Sequence, residues 1–399
     1  MNILYLCHRL PYPPKRGGKI RPFNMIRHLA ARGARLTVAS LARSAAEAAE
    51  GEGLRAHCRE LVVETVGAAA QWARTVARLP TPTPSSMGYF HSPRLARRLH
   101  SVLAAQRFDL VFVHCSSMAP YVARVAGVPK MLDYGDMDSF KWRAYAGHKR
   151  WPWSWGYALE GAKLARAERR LAGCFDFLSC TTRAELDSLR SLGVVRPSDW
   201  FPNGVDAAYF APGEEAVDEK LLSFVGRMDY FPNQQAMFWF CREVWPRLRA
   251  REPGLRLAIV GAAPPPAVRR LGRLPGVTVT GQVDDVRPWV RRSAVNVAPL
   301  QIARGTQNKI LECLAMGVPV VCSRAAARGV DVRPGEDLLT ADAPAEFAAA
   351  VWALLRDPAR RRALGAAGRA RVLARHDWGA SMRRLEGLIE RCLAARRAA

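Results

Sequence analysis

Short apolar runs alternate with amphipathic helical stretches along almost the whole chain, and this rhythm restarts once. "NILYLC" reads as a buried strand, "PFNMIRHLAARG" as a helix ending at Gly33, and "RLTVASL" as the next strand. "FDLVFVHC", "VPKMLDY" and "CFDFLSCTT" continue the series, the last followed by the helical "RAELDSLRSLG". Pro197 to Lys220 breaks the pattern with three Pro, two Gly and mostly acidic charges. Then "LLSFVGR", "LRLAIVG", "VTVTG", "SAVNVAPL" and "VPVVCS" read as strands, separated by "NQQAMFWFCREVWPRLRA" and "NKILECLAMG" as helices. Strands alternating with helices require parallel βαβ units. The expected fold class is α/β, two facing Rossmann-like doubly wound domains with a central cleft. The expected boundaries are a first domain at 1–196, a linker at 197–220 and a second domain at 221–399, with the last helix free to pack back on the first.

Composition narrows the class. The chain has 399 residues, 49% hydrophobic and 24% charged, which suits globular cores. No apolar run nears the roughly 18–20 residues that span a bilayer. The apolar part of "MNILYLCHRLPYPP" is too short for a signal peptide, so the expected location is cytoplasmic. Nine scattered Cys without a CxxC pair argue against a zinc site or a disulfide framework. The net charge of +25 fits both an Arg-rich coding bias and an anionic partner. Only eight Lys occur, and Lys309 alone follows Lys220, so it marks a place where a compact ammonium is wanted, unless it stands there by chance.

The stretch "ARGTQNKILECLAMGVPVV" leads a polar loop into a helix that opens with Lys309 and Glu312. Three residues apart, they share a helix face. Both lie near the amino-terminal end, where free N–H groups attract anions. A cation there adds to the pull on phosphate, and a carboxylate one turn deeper suits ribose hydroxyls.

Three motifs, in this order and spacing, carry a resemblance: "FPNGVDAAYFAP", "FVGRMDYFPN" and "GTQNKILECLAMGVPVV". The chain resembles retaining glycosyltransferases of family 4, with the GT-B fold. "DYGDMDSFKWRAYA" and "GTQNK" further resemble a bacterial subgroup found with exopolysaccharide and PEP-CTERM/exosortase systems. The resemblance implies transfer of a sugar from a nucleotide-diphosphate donor to a hydroxyl, on a lipid-linked or polysaccharide-precursor acceptor, with retention. It implies that Glu312 binds ribose, that Arg227 pairs with the diphosphate, and that Gly17 and Gly18 form a loop whose backbone approaches phosphate and sugar. A simple turn is the other reading of that glycine pair. The resemblance likewise makes 1–196 the acceptor-binding domain and 221–399 the nucleotide-sugar domain, assigns the loop Arg304, Gly305, Thr306, Gln307, Asn308 and Lys309 to the donor site, and implies that the backbone of Gln282 and Val283 lies near the base. Two departures stand out. The carboxylate expected eight residues before Glu312 is Arg304, and the Lys expected six after Arg227 is Asn233. Lys309 is expected to replace that missing charge.

Asp133 best matches a polar catalytic or acceptor-facing position, with Asp136 second; both equally suit capping of a helix starting near Ser139. His114 ends another strand and suits either a sugar hydroxyl or a structural partner. Asp136 and Asp138 have a D-x-D spacing that suits a divalent ion in a different glycosyltransferase fold, but basic residues already serve the phosphates here, so no metal or other cofactor is expected. Asp284 and Asp285 read as helix caps. Trp151, Trp153, Trp155 and Tyr157 lie among Lys149, Arg150, Lys163, Arg166, Arg169 and Arg170, a composition for an anionic membrane surface or for a solvated basic helix over core indoles. Two rivals remain: a GT-B-fold sugar-nucleotide epimerase, and a basic nucleic-acid-binding protein. Against the second, Arg is spread throughout and no binding module is present, so no nucleic-acid partner is expected.

Overall fold

The computed structural model describes residues 1–14 and 17–397. It divides into two compact units, residues 1–201 with 382–399, and residues 202–381. Each is built on one all-parallel sheet.

The first unit holds β1 (Asn2–Cys7), β2 (Arg35–Ala42), β3 (Glu60–Thr65), β4 (Leu110–His114), β5 (Lys130–Gly135), β6 (Phe177–Cys180) and β7 (Ser198–Trp200), ordered 3-2-1-4-5-6-7. The second holds β8 (Asp218–Val225), β9 (Arg256–Val260), β10 (Val277–Gly281), β11 (Ser293–Ala298), β12 (Val320–Cys322) and β13 (Leu339–Thr340), ordered 10-9-8-11-12-13. β1, β4, β5 and β11 are buried almost end to end, because helices cover both faces of a parallel sheet. That is why they read as continuous apolar runs rather than alternating ones.

Strand order reverses between β1 and β4, and between β8 and β11. Flanking loops part there and leave a crevice at the carboxyl ends. In the first unit the loops after Cys7 and His114 flank it; in the second, those after Val225 and Ala298.

Three short elements escape the sequence pattern. β3, "ELVVET", is an outer strand, and β13 is two residues long. β7 lies inside the stretch read as a linker: Ser198–Trp200 pairs with β6, and Phe201 is fully buried. Pro197 and Pro202 bracket it and hide its register in the sequence. At the other end, Asp218–Lys220 already belongs to β8. The non-sheet part of the connection is therefore 201–217. The last helix, Trp378–Arg397, begins in the second unit and gives residues from Met382 onward to the first.

The ends of β8 and β9 approach so closely that only glycine fits. A Cβ on Gly261 (φ +149°) would lie 2.0 Å from the Gly226 carbonyl oxygen. Gly261→Ala should destabilise the second unit by about 2 kcal/mol or more, read as a lowered denaturation midpoint.

Candidate functional site

In the second unit, four segments meet where strand order reverses. β8 delivers Gly226 and Arg227. The Phe231–Trp239 helix delivers Asn233 in its first turn. The loop after β11 delivers Arg304 to Gln307, and the Asn308–Ala315 helix carries Lys309 and Glu312. Gly305 adopts φ +63°, a backbone that favours glycine, and its carbonyl sits where a Cβ on Gly329 would be 2.1 Å away. This packing fixes the loop before the helix start.

Lys309 is the centre of the cluster. Its ammonium donates to Asn233 Oδ1, lies 4.5 Å from the Phe224 ring centre, and would be 3.0 Å from a Cβ on Gly226. Asn233 in turn donates through Nδ2 to the Arg227 carbonyl at 2.8 Å. The ammonium therefore lies directly beside residue 233. Lys309 and Glu312 each keep a strip of surface yet are enclosed by protein atoms. Burial pushes Lys309 down to about 7, against the pull of Glu312. Burial likewise pushes Glu312 up to about 7, partly offset by Lys309. Two charges held this close to neutrality form a site that gains by taking up a polar ligand.

Arg227 is more exposed and forms a two-pronged pair with Asp229, at 3.0 and 2.6 Å. Exposed pairs of this kind contribute at most about 1 kcal/mol, so the guanidinium is easily released to another anion. Thr306 Oγ1 is buried without a hydrogen-bond partner among the described residues, just before the helix start. Gln307 Nε2 donates to the Arg304 carbonyl at 3.1 Å. Gln282 is exposed after Gly281, and Val283 packs on the core beside it. Asp285, not Asp284, caps the following turn by accepting from the Arg287 N–H at 2.9 Å.

Sequence reasoning missed the group that supports the helix start from below. Asn203, from "PNGVD", donates to Asn308 Oδ1 at 3.3 Å. His376 Nδ1 donates to the Asn203 carbonyl at 3.0 Å, and its Nε2 accepts from the Asp331 N–H at 3.0 Å. These two partners fix a neutral tautomer. Burial lowers its pKa, with the Asn203 bond working the other way. A lone His late in a chain gives no signal of this without the fold.

In the first unit, the crevice end of the sheet holds a second polar cluster. Asp133 on β5 is fully buried and accepts four hydrogen bonds. Two come from Arg21 at 3.0 Å each, one from His114 Nδ1 at 2.8 Å and one from Ser179 at 2.9 Å. Burial alone would raise its pKa, but Arg21 and His114 outweigh this and hold it well below the usual carboxylate range. A carboxylate with all its acceptor sites used cannot serve as a proton acceptor. In this arrangement Asp133 holds His114 and offsets the Arg21 charge. Arg21, which the sequence reading passed over, also donates to the Phe201 carbonyl at 3.0 Å and lies 3.6 Å from the Phe201 ring centre.

Asp136 stays half-buried at the strand end, with one oxygen held by Thr181 at 2.9 Å. Neither Asp136 nor Asp133 caps the next helix. Its first N–H groups go to Glu185 and Glu168, from Met137 at 2.7 Å and Ser139 at 3.2 Å. Gly17 and Gly18 open the Gly17–Ala31 helix and are exposed, and a Cβ on Gly18 would meet only Arg9, at 4.0 Å. That leaves the first turn's backbone accessible. His8, His114 and Cys115 bring ligand-type atoms within 4.8 Å of one another. Burial lowers His8, with Arg9 and Lys141 adding to it, and burial raises the Cys115 thiol. Facing cations suit this cluster to hydrogen bonding with a neutral hydroxyl rather than to holding a dication.

Two family models match: "Glycosyltransferase Family 4" over residues 16–209 and "Glycosyl transferases group 1" over 219–357. A D-inositol 3-phosphate glycosyltransferase of Segniliparus rotundus is 28% identical over 245 residues, 56% of this chain and 52% of that protein. The chain thus spans about half the length of the curated relatives it matches. Sucrose-phosphate synthase from Thermosynechococcus elongatus superposes with a TM-score of 0.74 at 18% identity, covering 99% of this chain and 100% of that one. Anabaena HepE, in complex with UDP and glucose, gives 0.70 at 15% identity, covering 98% and 99%. These likenesses show the fold: two Rossmann-like parallel-sheet domains of the GT-B type.

Asp133→Ala should destabilise the first unit by about 3–5 kcal/mol, because it strands a buried Arg21 charge, whereas Asp136→Ala should leave the denaturation midpoint almost unchanged. For His376, the neutral buried form contributes stability above its ordinary pKa near 6.5. Below that the unfolded chain takes up a proton that the native state refuses, so this contribution is lost as pH falls. The stability gap between wild type and His376→Gln should therefore narrow on acidification, measured by urea unfolding across that range.

Proposed function

We propose that this family 4-like glycosyltransferase transfers a sugar from a nucleoside diphosphate to an acceptor hydroxyl, with retention at the anomeric carbon. The observation that carries the reading is the Lys309 cluster at the reversal of strand order in the second unit. Lys309 sits on Asn233, which is bonded to the Arg227 carbonyl, and the orphan Thr306 hydroxyl precedes the same helix start, with Glu312 one turn further along. The donor diphosphate lies against Arg227 and Lys309, and Glu312 accepts from the ribose hydroxyls. As the glycosidic bond breaks, negative charge grows on the leaving β-phosphate. Arg227, Lys309 and the first N–H groups of the Asn308–Ala315 helix answer that charge and so stabilise the transition state more than the ground state. Charge neutralisation by these residues leaves no role that calls for a metal. The acceptor hydroxyl gives its proton to the leaving phosphate oxygen, and His114, held by Asp133, hydrogen-bonds a sugar hydroxyl; the accessible Asp136 takes the acceptor-facing role.

Support for a nucleotide-sugar donor also comes from HepE, whose structures hold UDP, UDP with glucose, or UDP-glucose. The acceptor we infer is a lipid-linked or saccharide precursor in exopolysaccharide assembly of the PEP-CTERM type, on the resemblance of "DYGDMDSFKWRAYA" and "GTQNK". A cytoplasmic setting fits such donors.

A diphosphate beside Lys309 restores the ammonium that burial disfavours. At about pH 8, above the Lys309 value of about 7, UDP binding should therefore take up close to one proton. Calorimetry in buffers of different ionisation enthalpy reads this directly. Lys309→Met should abolish the uptake and weaken binding about tenfold or more; unchanged affinity and uptake would remove Lys309 from the donor site. With a UDP-sugar and a hydroxyl acceptor, NMR of the anomeric proton should show the donor's configuration in the product. Conversion of the nucleotide sugar without any acceptor would instead indicate an epimerase.

A further inference from the structure

Four of the eleven tryptophans are mostly exposed, and all four lie in two segments of the first unit: Trp151, Trp153 and Trp155 at 82, 71 and 66%, and Trp72 at 62%. Val76 and Leu79 join them at 57 and 55%. The Ala68–Ala77 helix is turned inside out, with Gln71 buried while Trp72 and Val76 face solvent. Isolated exposed apolar residues need no explanation, but a concentration like this marks a contact surface.

The two segments are remote in sequence and joined in the fold. Lys163, on the Trp153–Ala172 helix, donates to the carbonyls of Arg78 and Leu79 at 3.3 and 2.7 Å. Glu160, one turn earlier, accepts from the N–H groups of Ser85 and Ser86 at 3.0 and 2.8 Å. At 1.5 Å per residue, Trp153 and Trp155 lie only about 12–15 Å along the helix from the Leu79 anchor.

Charge identifies what covers the surface. Both segments lack any acid: none occurs from Thr65 to Phe108, a stretch with six Arg, and none from Ser139 to Leu159, which carries Lys141, Arg143, Lys149 and Arg150. Of the flanking carboxylates, Glu160 is buried and used by the serines, and Asp138 pairs with Lys141 at 3.6 Å. Indoles bordered by cations without acids match the boundary of an anionic bilayer, where rings sit at headgroup depth and ammonium and guanidinium groups meet lipid phosphates. No helix among the described residues is long and apolar enough to cross a membrane, so the contact is peripheral.

We propose that the surface formed by Trp72–Leu79 and Lys149–Trp155 docks the first unit on an anionic lipid bilayer. This stands independently of which sugar or acceptor is used. The test is co-sedimentation of the full chain with vesicles of phosphatidylcholine alone and with 30 mol% phosphatidylglycerol (about one anionic lipid in three), at low and high salt. Pelleting with anionic vesicles, a blue shift of indole emission, and loss of both at high salt are expected. The triple variant Trp151→Ser, Trp153→Ser, Trp155→Ser should weaken partitioning at least tenfold while keeping the wild-type circular dichroism and UDP thermal shift. Trp72→Ser alone should give a partial loss, which keeps the proposal testable if the triple variant misfolds. No pelleting with anionic vesicles at low salt would overturn it, as would pelleting that the Trp substitutions leave unchanged. Lipid-free self-association abolished by the same substitutions would assign the surface to a second copy of the chain and overturn it too.

Discussion

Parallel strands buried on both faces leave polar chemistry almost nowhere to go. The backbones of β1, β4, β8 and β11 pair on both sides along most of their length, and their faces are mostly apolar. Charged groups gather mainly at and beyond the carboxyl ends, where the strand order opens one such place in each unit. The two polar clusters, around Asp133 and around Lys309, sit at those places. Gly226, Gly261 and Gly305 are the local adjustments that let backbones come close enough for side chains to reach.

The two clusters treat buried charge in opposite ways. Around Asp133 each acceptor site is filled, and the carboxylate is locked ionised against Arg21. Such a network is rigid and has nothing left to offer a substrate except through the far side of His114. Around Lys309 the partners are few: an amide oxygen, an aromatic face and a carboxylate one turn away. Burial disfavours its charge, against the pull of Glu312. The first arrangement is saturated; the second is not.

Much of this was legible in the sequence. The βαβ rhythm gave both sheets, because buried strands write continuous apolar runs, and "NKILECLAMG" placed Lys309 and Glu312 on one helix face. The lone Lys309 stood out in an Arg-rich sequence, and its ammonium lies against Asn233 in the fold. Other features were invisible for physical reasons. β7 and β13 are too short for a period to show. Arg21 looks like any other Arg of an Arg-rich chain until it is found buried against Asp133. Asp133 and Asp136 differ in the sequence only by position, yet one is saturated and the other accessible. His376 matters through a contact with a residue 173 positions away, which no local pattern encodes.

The closing helix has a further consequence for dissecting the chain. Leu385, Leu388, Ile389 and Cys392 are buried within it. Glu386 binds His28 and Arg32, and Arg384 and Arg391 bind Asp199, all in the first unit. A fragment cut after residue 201 would therefore be born with an open flank, although its own sheet is whole. To express the amino-terminal half alone, one would have to graft residues 382–397 back onto it. The boundary in sequence and the boundary in space are not the same cut.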